Sequence, residues 1–420
     1  MHLAIDLRFY KPEPYGLSFY IDGLFGKLTP LLLTQNKYSK ITLILHPSTK
    51  TLNLNDYLSW WPLIEKNTKF EILYSNSEYY TISEQTVLLK ELNTLKPDLV
   101  YFFTFNYPIL YRERFIYQVL DLTPIKESFQ GDLNFKKRLK IWLMRRVLKF
   151  GFNNSSYNLF LGSQTPLDSE NLLGLNFSDE SKSSYKKNKV IWAGLNSSYT
   201  SQNLAVAEKE KLFLKNKSKL SFDYKESLKL VNLKEKLRIT KPYFLFVSVW
   251  KSHKNIDRLI EAFNIFQSKN QNKYQLVLAG SVDQKNRQIL DKIDANDQFK
   301  KGNILLAQKL PNDDLVRLHD GSNGLIMPSL SEGFGLSLIE AASRMNLVIC
   351  SDLFIFRDIL GESAIYFNPL SIEDMAEKWT ELSLLTELEK QRRQENLFKL
   401  TEKFNWPSVA SEILEVILKV

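Results

Sequence analysis

Short β-rich runs alternate with helix-period segments along this chain, and the alternation runs twice. The first series is "HLAIDLRF", "GLSFYIDGLFGKLTPLLL", "KITLILH", "KFEILY", "SEQTVLLKELNTL", "DLVYFFTF", "RFIYQVLDL" and "YNLFLGS". The rhythm restarts at residue 243 with "YFLFVSVW", "NIDRLIEAFNIFQ", "YQLVLAG", "NILLAQKL", "GLIMPSL", "LVICSD" and "AIYFNP". Strands separated by helical segments build a parallel sheet covered on both faces. Two such series predict an α/β chain of two tandem Rossmann-like units. The length of 420 residues agrees, since one core rarely serves more than ~100 to 200 residues.

The first unit is expected to end with "KVIWAGLNSS", dividing the chain into 1–196 and 197–404, with the polar, Lys- and Ser-rich connector 197–240 falling to the second. The tail "FNWPSVASEILEVILKV" reads as a helix over 405–420, with Pro407 in its first turn and Ile413, Leu414, Ile417 and Leu418 on one apolar face.

Composition removes several classes. Hydrophobic content of 44% and charged content of 25% are those of a globular protein. The single cysteine, Cys350, lies in the apolar run "NLVICSD" and is expected to be a buried thiol, so no disulfide framework exists. One cysteine and four histidines, without HExxH or paired CxxC spacing, predict no metal site. The start "MHLAIDLRFY" lacks the order of a signal peptide, and no apolar run approaches the ~20 residues that span a bilayer. A cytoplasmic location is expected. The net charge of +9 favours anionic partners, but no aromatic-basic motif points to nucleic acid.

Residues 327–342, "MPSLSEGFGLSLIEAA", carry the chemistry. An apolar run ends at Pro328, a glycine-bracketed loop holds Glu332, and a helix-like segment follows with Glu340. Ligands of parallel α/β sheets bind beyond the carboxyl ends of strands, where helix N-termini aim amides outward. Gly333 and Gly335 can adopt conformations closed to other residues, so the amides of Gly333, Phe334, Gly335 and Leu336 are candidates for holding a diphosphate. Glu340 has two acceptor oxygens suited to adjacent hydroxyls, as on a ribose. Lys254 begins "KNIDRLIEAF", where a cation opposes the helix dipole and a bound anion would relieve the conflict.

The stretch "PSLSEGFGLSLIEA" resembles the E-x7-E signature of the retaining GT-B glycosyltransferases of family GT4, glycosyl transferases group 1. "YFLFVSVWKSHKNIDRLIEAF", "YQLVLAGS" and "SAIYFNPLSIEDMAEKW" follow the family's order, and "AIDLRFYKPEPYGLSFYIDGL" matches more loosely. The resemblance implies two domains facing across a cleft, the C-terminal helix returning to the N-terminal, acceptor-binding domain. It assigns Glu332 to the donor sugar, Glu340 to the ribose and Lys254 to the phosphates. Gly16 falls on a glycine that approaches the donor phosphates, and Gln308, Lys309 and Leu310 on the loop whose backbone holds the base. It also implies that a nucleoside-diphosphate sugar is the substrate and that no cofactor or metal is needed.

The chain departs from the family pattern at several positions. Ser248 and Val249 stand where Gly-Arg is usual, with Lys251 or His253 as nearby substitutes for the arginine. Leu120 precedes Asp121 where His-Asp is common, and Thr104, two residues before Asn106, replaces another histidine. Asp121, Thr104 and Asn106 are the expected acceptor-side residues. The leading expectation is a retaining hexosyltransferase, first of all using GDP-mannose, that acts on a cell-surface glycan or lipid-linked acceptor. The alternative is a catalytically silent GT-B subunit that binds a partner transferase.

One further segment, residues 135–152, has seven Lys or Arg and no acid, with Leu139, Trp142, Leu143, Val147 and Phe150 at helical spacing. That stripe suits either the face packed on the sheet or a peripheral contact with an anionic membrane.

Overall fold

The structure, a computed structural model, describes residues 1–11, 16–79, 81–122, 125, 135–177, 187–200, 223–282 and 286–420. Most of the expected connector, residues 201–222, lies outside them. The chain divides into two compact units, one of Met1–Gly194 with Lys403–Val420 and one of Leu195–Glu402.

The described strands of the first unit are β1 (His2–Asp6), β2 (Lys40–Leu45), β3 (Phe70–Tyr74), β4 (Leu99–Phe102), β5 (Phe115–Val119), β6 (Tyr157–Leu161) and β7 (Asn188–Ile191). They pair in the order β3-β2-β1-β4-β5-β6-β7, and every pair is parallel. Every residue of β4 and β5 is buried, which is why these strands read as unbroken apolar runs rather than as alternation. Edge strand β3 exposes Glu71 and Ile72. An aromatic cluster of Phe102, Tyr107, Tyr111, Phe115, Tyr117, Phe152 and Phe160 fills one face of the sheet.

The basic segment forms a helix, Phe135–Asn154. Among its described residues the large buried side chains are Ile141, Met144, Leu148 and Phe152, spaced i, i+3, i+7 and i+11. Gly151 lets the helix approach, since a Cβ there would lie 2.4 Å from the Tyr117 ring. The stripe singled out in the sequence is not this face: Leu139, Trp142, Leu143 and Phe150 are 39% to 51% exposed, and Val147 is half-buried.

The C-terminal helix Trp406–Lys419 packs on the helix Gly16–Thr34. The Asn405 side chain accepts a hydrogen bond from Ser408 N at its start. Ile413, Leu414 and Ile417 are buried as expected, joined by Trp406, Val409, Ala410 and Val416, while Leu418 is half-buried. The Tyr38 hydroxyl donates to Ile417 O at 2.9 Å.

In the second unit, β8 (Tyr243–Trp250), β9 (Gln275–Val282), β10 (Ile304–Gln308), β11 (Leu325–Met327), β12 (Val348–Ser351) and β13 (Ile365–Phe367) pair in parallel in the order β10-β9-β8-β11-β12-β13. Cys350 is fully buried in β12, and burial pushes its thiol up. Strand order reverses between β8 and β11, and the crevice beyond their carboxyl ends is where such sheets bind ligands.

Candidate functional site

Beyond β8 the chain passes Ser248 and Val249 into a 3-10 turn, Ser252–Lys254, and then into the helix Ile256–Lys269. Asn255 links turn and helix in a left-handed conformation with φ +58°, which asparagine tolerates better than most residues. Its side chain donates to Pro328 O at 3.1 Å and Pro369 O at 2.8 Å. Leu330 N donates to His253 O at 2.8 Å. These bonds fasten the turn to the loops after β11 and β13 and fix where Lys254 starts. Of the two suggested substitutes for the missing arginine, His253 is buried and Lys251 is half-buried.

Beyond β11 the chain runs through the fully buried Ser329 to Glu332 and into the helix Leu336–Ser343. Gly335 precedes that helix with φ +99°, where L-residues are strained. Gly333 does not take a positive φ, so the conformational need for glycine falls on Gly335 alone. Phe334 between them is buried. The first amides of a helix have no intrahelical acceptor, so those at Leu336 and Ser337 are available to an anion, while Leu338 N donates to Gly335 O at 3.0 Å.

Lys254 Nζ lies 2.5 Å from Glu332 Oε1, and the Ser329 hydroxyl donates to the same oxygen at 2.6 Å. Lysine, carboxylate and glycine-bracketed helix start therefore form one constellation at the carboxyl edge of the sheet. Glu340, in the second turn of that helix, has no hydrogen-bond partner for its carboxylate among the described residues. It keeps some surface open to solvent, yet the surrounding protein pushes its carboxyl up to about 7 by desolvation. Tyr199 lies close enough for the Glu340 charge to raise its phenol, after the larger effect of burial.

Ser248, half-buried, lies against Gly280, where φ is +124° and a Cβ would come 1.8 Å from Ser248 O. At the end of the neighbouring β10, Gln308 and the following Lys309 are exposed and Leu310 is half-buried, with Lys309 at φ +54°. The expected base-binding residues thus share the edge that carries Lys254 and Glu332.

In the first unit, Gly16 is the exposed first residue of its helix, at no positive φ. Asp121 is half-buried just beyond β5. Thr104 and Asn106 are buried, at 8% and 2% exposure. The Asn106 amide donates to Glu84 Oε2 at 3.3 Å. Glu84 also meets Arg8, whose guanidinium grips Asp6 with two 2.8 Å bonds. This buried network was missed in the sequence, as were Ser329, Asn255 and Tyr199. The available signals were the charged pair Asp6 and Arg8 around an apolar run, and a serine three residues before Glu332.

Residues 232–397 match the family model for glycosyl transferases group 1. That match lies within the second unit. The matched segment holds Ser248, Lys254, Lys309, Leu310, Glu332 and Glu340, while Gly16, Thr104, Asn106 and Asp121 lie outside it. A serotype-specific mannosyltransferase of Escherichia coli, WbdA, is 24% identical over 187 residues, 44% of this chain and 23% of the relative. The chain therefore spans less than a quarter of that relative's length. WaaG, a glycosyltransferase involved in lipopolysaccharide biosynthesis, is similar in structure with a TM-score of 0.66 and 13% identity over 99% of each chain. HepE of Anabaena, solved with UDP, gives 0.66 and 13% over 100% of each chain. These likenesses show the fold, which is GT-B.

Proposed function

We propose that the chain is a retaining, metal-independent glycosyltransferase that moves a hexose from a nucleoside-diphosphate sugar to a cell-surface glycan or a lipid-linked acceptor. The observation that carries this reading is the constellation of Lys254, Glu332 and the Gly335-led helix start, with Glu340 one turn further on, inside the group 1 segment. GDP-mannose is the first candidate donor, supported by the mannosyltransferase named among the relatives. The UDP held by HepE supports a uridine nucleotide as the next.

Departure of a nucleoside diphosphate places charge on its phosphates while the sugar becomes oxocarbenium-like. A preorganised donor aimed at such developing charge contributes about 3 kcal/mol. Lys254 and the amides at the start of the helix Leu336–Ser343 serve this role, and Glu332 orients sugar hydroxyls. Glu340 receives the ribose hydroxyls. The acceptor attacks on the face from which the diphosphate departs, and the departing phosphate oxygen takes its proton. Asp121 lies on the acceptor side. No cofactor takes part.

Release of GDP from GDP-mannose, or UDP from UDP-glucose, with an acceptor extract tests the reading. Activity is expected to persist in a chelator and to fall at least about a hundredfold in Glu332→Ala, the scale of losing one transition-state contact. Strict dependence on Mg2+ or Mn2+, or an unimpaired Glu332→Ala, contradicts it.

The same reading puts the protein at the cytoplasmic face of the membrane, where lipid-linked acceptors are met. No helix among the described residues is long and apolar enough to cross a bilayer. On the helix Phe135–Asn154, the exposed Leu139, Trp142, Leu143 and Phe150 adjoin a pocket of about 390 Å³ lined by Arg138, Arg145, Arg146, Lys149 and Trp142. Arg146 lies 4.6 Å from the centre of the Trp142 ring. Cations beside exposed apolar side chains suit an anionic lipid surface.

A further inference from the structure

Lys254 and Glu332 neutralise each other. Only 14% and 12% of their side chains are exposed. Both donors to Glu332, the Lys254 ammonium and the Ser329 hydroxyl, converge on Oε1. Among the described residues no group bonds to Oε2, which can receive other donors. The backbone on either side of Lys254 is fixed by the bonds of His253 O and Asn255 to the facing loop, so the side chain alone can swing.

A sheltered ion pair is costly to break unless a substitute takes the place of the lost partner. A diphosphate offers Lys254 such a substitute but brings a second anion towards Glu332. Of the two bonds to Oε1, only that from Ser329 survives when Lys254 turns to the phosphates. We propose that Glu332 is an internal anion that competes with the donor diphosphate for Lys254, and that Ser329 is the positioning residue that holds Glu332 once the lysine has been released. This rests on the donor-site reading above. A bare nucleoside diphosphate must displace Glu332 and leaves it facing a phosphate. An intact sugar nucleotide also brings hydroxyls that donate to the freed carboxylate, through the strong charge-assisted bonds that such groups make. The pair therefore favours the loaded donor over the spent nucleotide and helps expel the product.

Calorimetric titration of the full chain with UDP and GDP, and with UDP-glucose and GDP-mannose as intact donors, tests this. Glu332→Gln keeps an oxygen for the Ser329 hydroxyl but removes the charge. It should bind the nucleoside diphosphate on the order of tenfold more tightly than the wild type, with a reduced preference for the intact donor. Ser329→Ala should weaken the intact donor and leave the diphosphate unchanged, and Ser329→Thr should restore the donor. A Glu332→Gln variant that binds the diphosphate no more tightly, or a Ser329→Ala variant that weakens both ligands equally, overturns the proposal. A wild-type chain that binds neither nucleotide overturns the donor-site reading and this proposal with it.

Discussion

Glu340 has a carboxyl held at about 7 by its surroundings, against 4.5 for a free side chain. Between those values the folded chain keeps a proton that the unfolded chain has released. Stability therefore falls as pH rises from 4.5 to 7, and the loss persists above that window. Glu340→Gln removes the titration. Its melting temperature relative to wild type should rise across this window and level off beyond it; a difference that stays constant with pH contradicts the assignment. Glu332, Glu340 and Lys254 were legible in the sequence because the turn glycine and the helix start give them a local context. Ser329 and Asn255 were not, since their roles come from partners distant in the chain: Asn255 bonds to residues 73 and 114 positions away, and Lys254 meets Glu332 across 78. The Arg8 network escaped for the same reason, joining Glu84 over 76 positions.

At the scale of elements, close approach decides what can change. A Cβ at Gly23 would stand 2.2 Å from the Trp406 indole, and one at Gly194 would stand 2.5 Å from it. Gly23→Ala should therefore force the C-terminal helix outward and destabilise the first unit by ~1 to 3 kcal/mol, seen as a lower melting temperature. At Gly16 nothing lies within 4 Å of an added Cβ, so Gly16→Ala should melt like wild type. Equal melting of all three chains would show that the glycine at 23 is not needed for packing. The strands were readable because central positions buried on both faces demand continuous apolar runs. The packed face of Phe135–Asn154 was less so. Its apolar residues surround the helix, and only contact with the sheet shows that Ile141, Met144, Leu148 and Phe152 face inward.

At the scale of the whole molecule, two Rossmann-like units with parallel sheets were legible from the twice-run alternation, and the resemblance to GT-B glycosyltransferases followed from a few motifs in the second. The peripheral contact belongs to this scale. Flotation with phosphatidylcholine vesicles, with and without phosphatidylglycerol, should retain the chain only on the anionic ones. Arg146→Glu with Lys149→Glu should abolish that retention, since each basic residue near such a surface contributes about 1 kcal/mol. Equal retention by both vesicle types, or by wild type and variant, contradicts the contact. The central claim is that Lys254 and the helix start behind Gly335 hold the diphosphate of a sugar nucleotide. The most direct measurement is the dissociation constant of GDP and of UDP for wild type and Lys254→Ala. Saturable binding of one nucleotide to the wild type, weakened on the order of a hundredfold by the substitution, is the predicted result, as expected for losing a charge-assisted contact with phosphate. The same affinity in both proteins, or no binding to either, would contradict it.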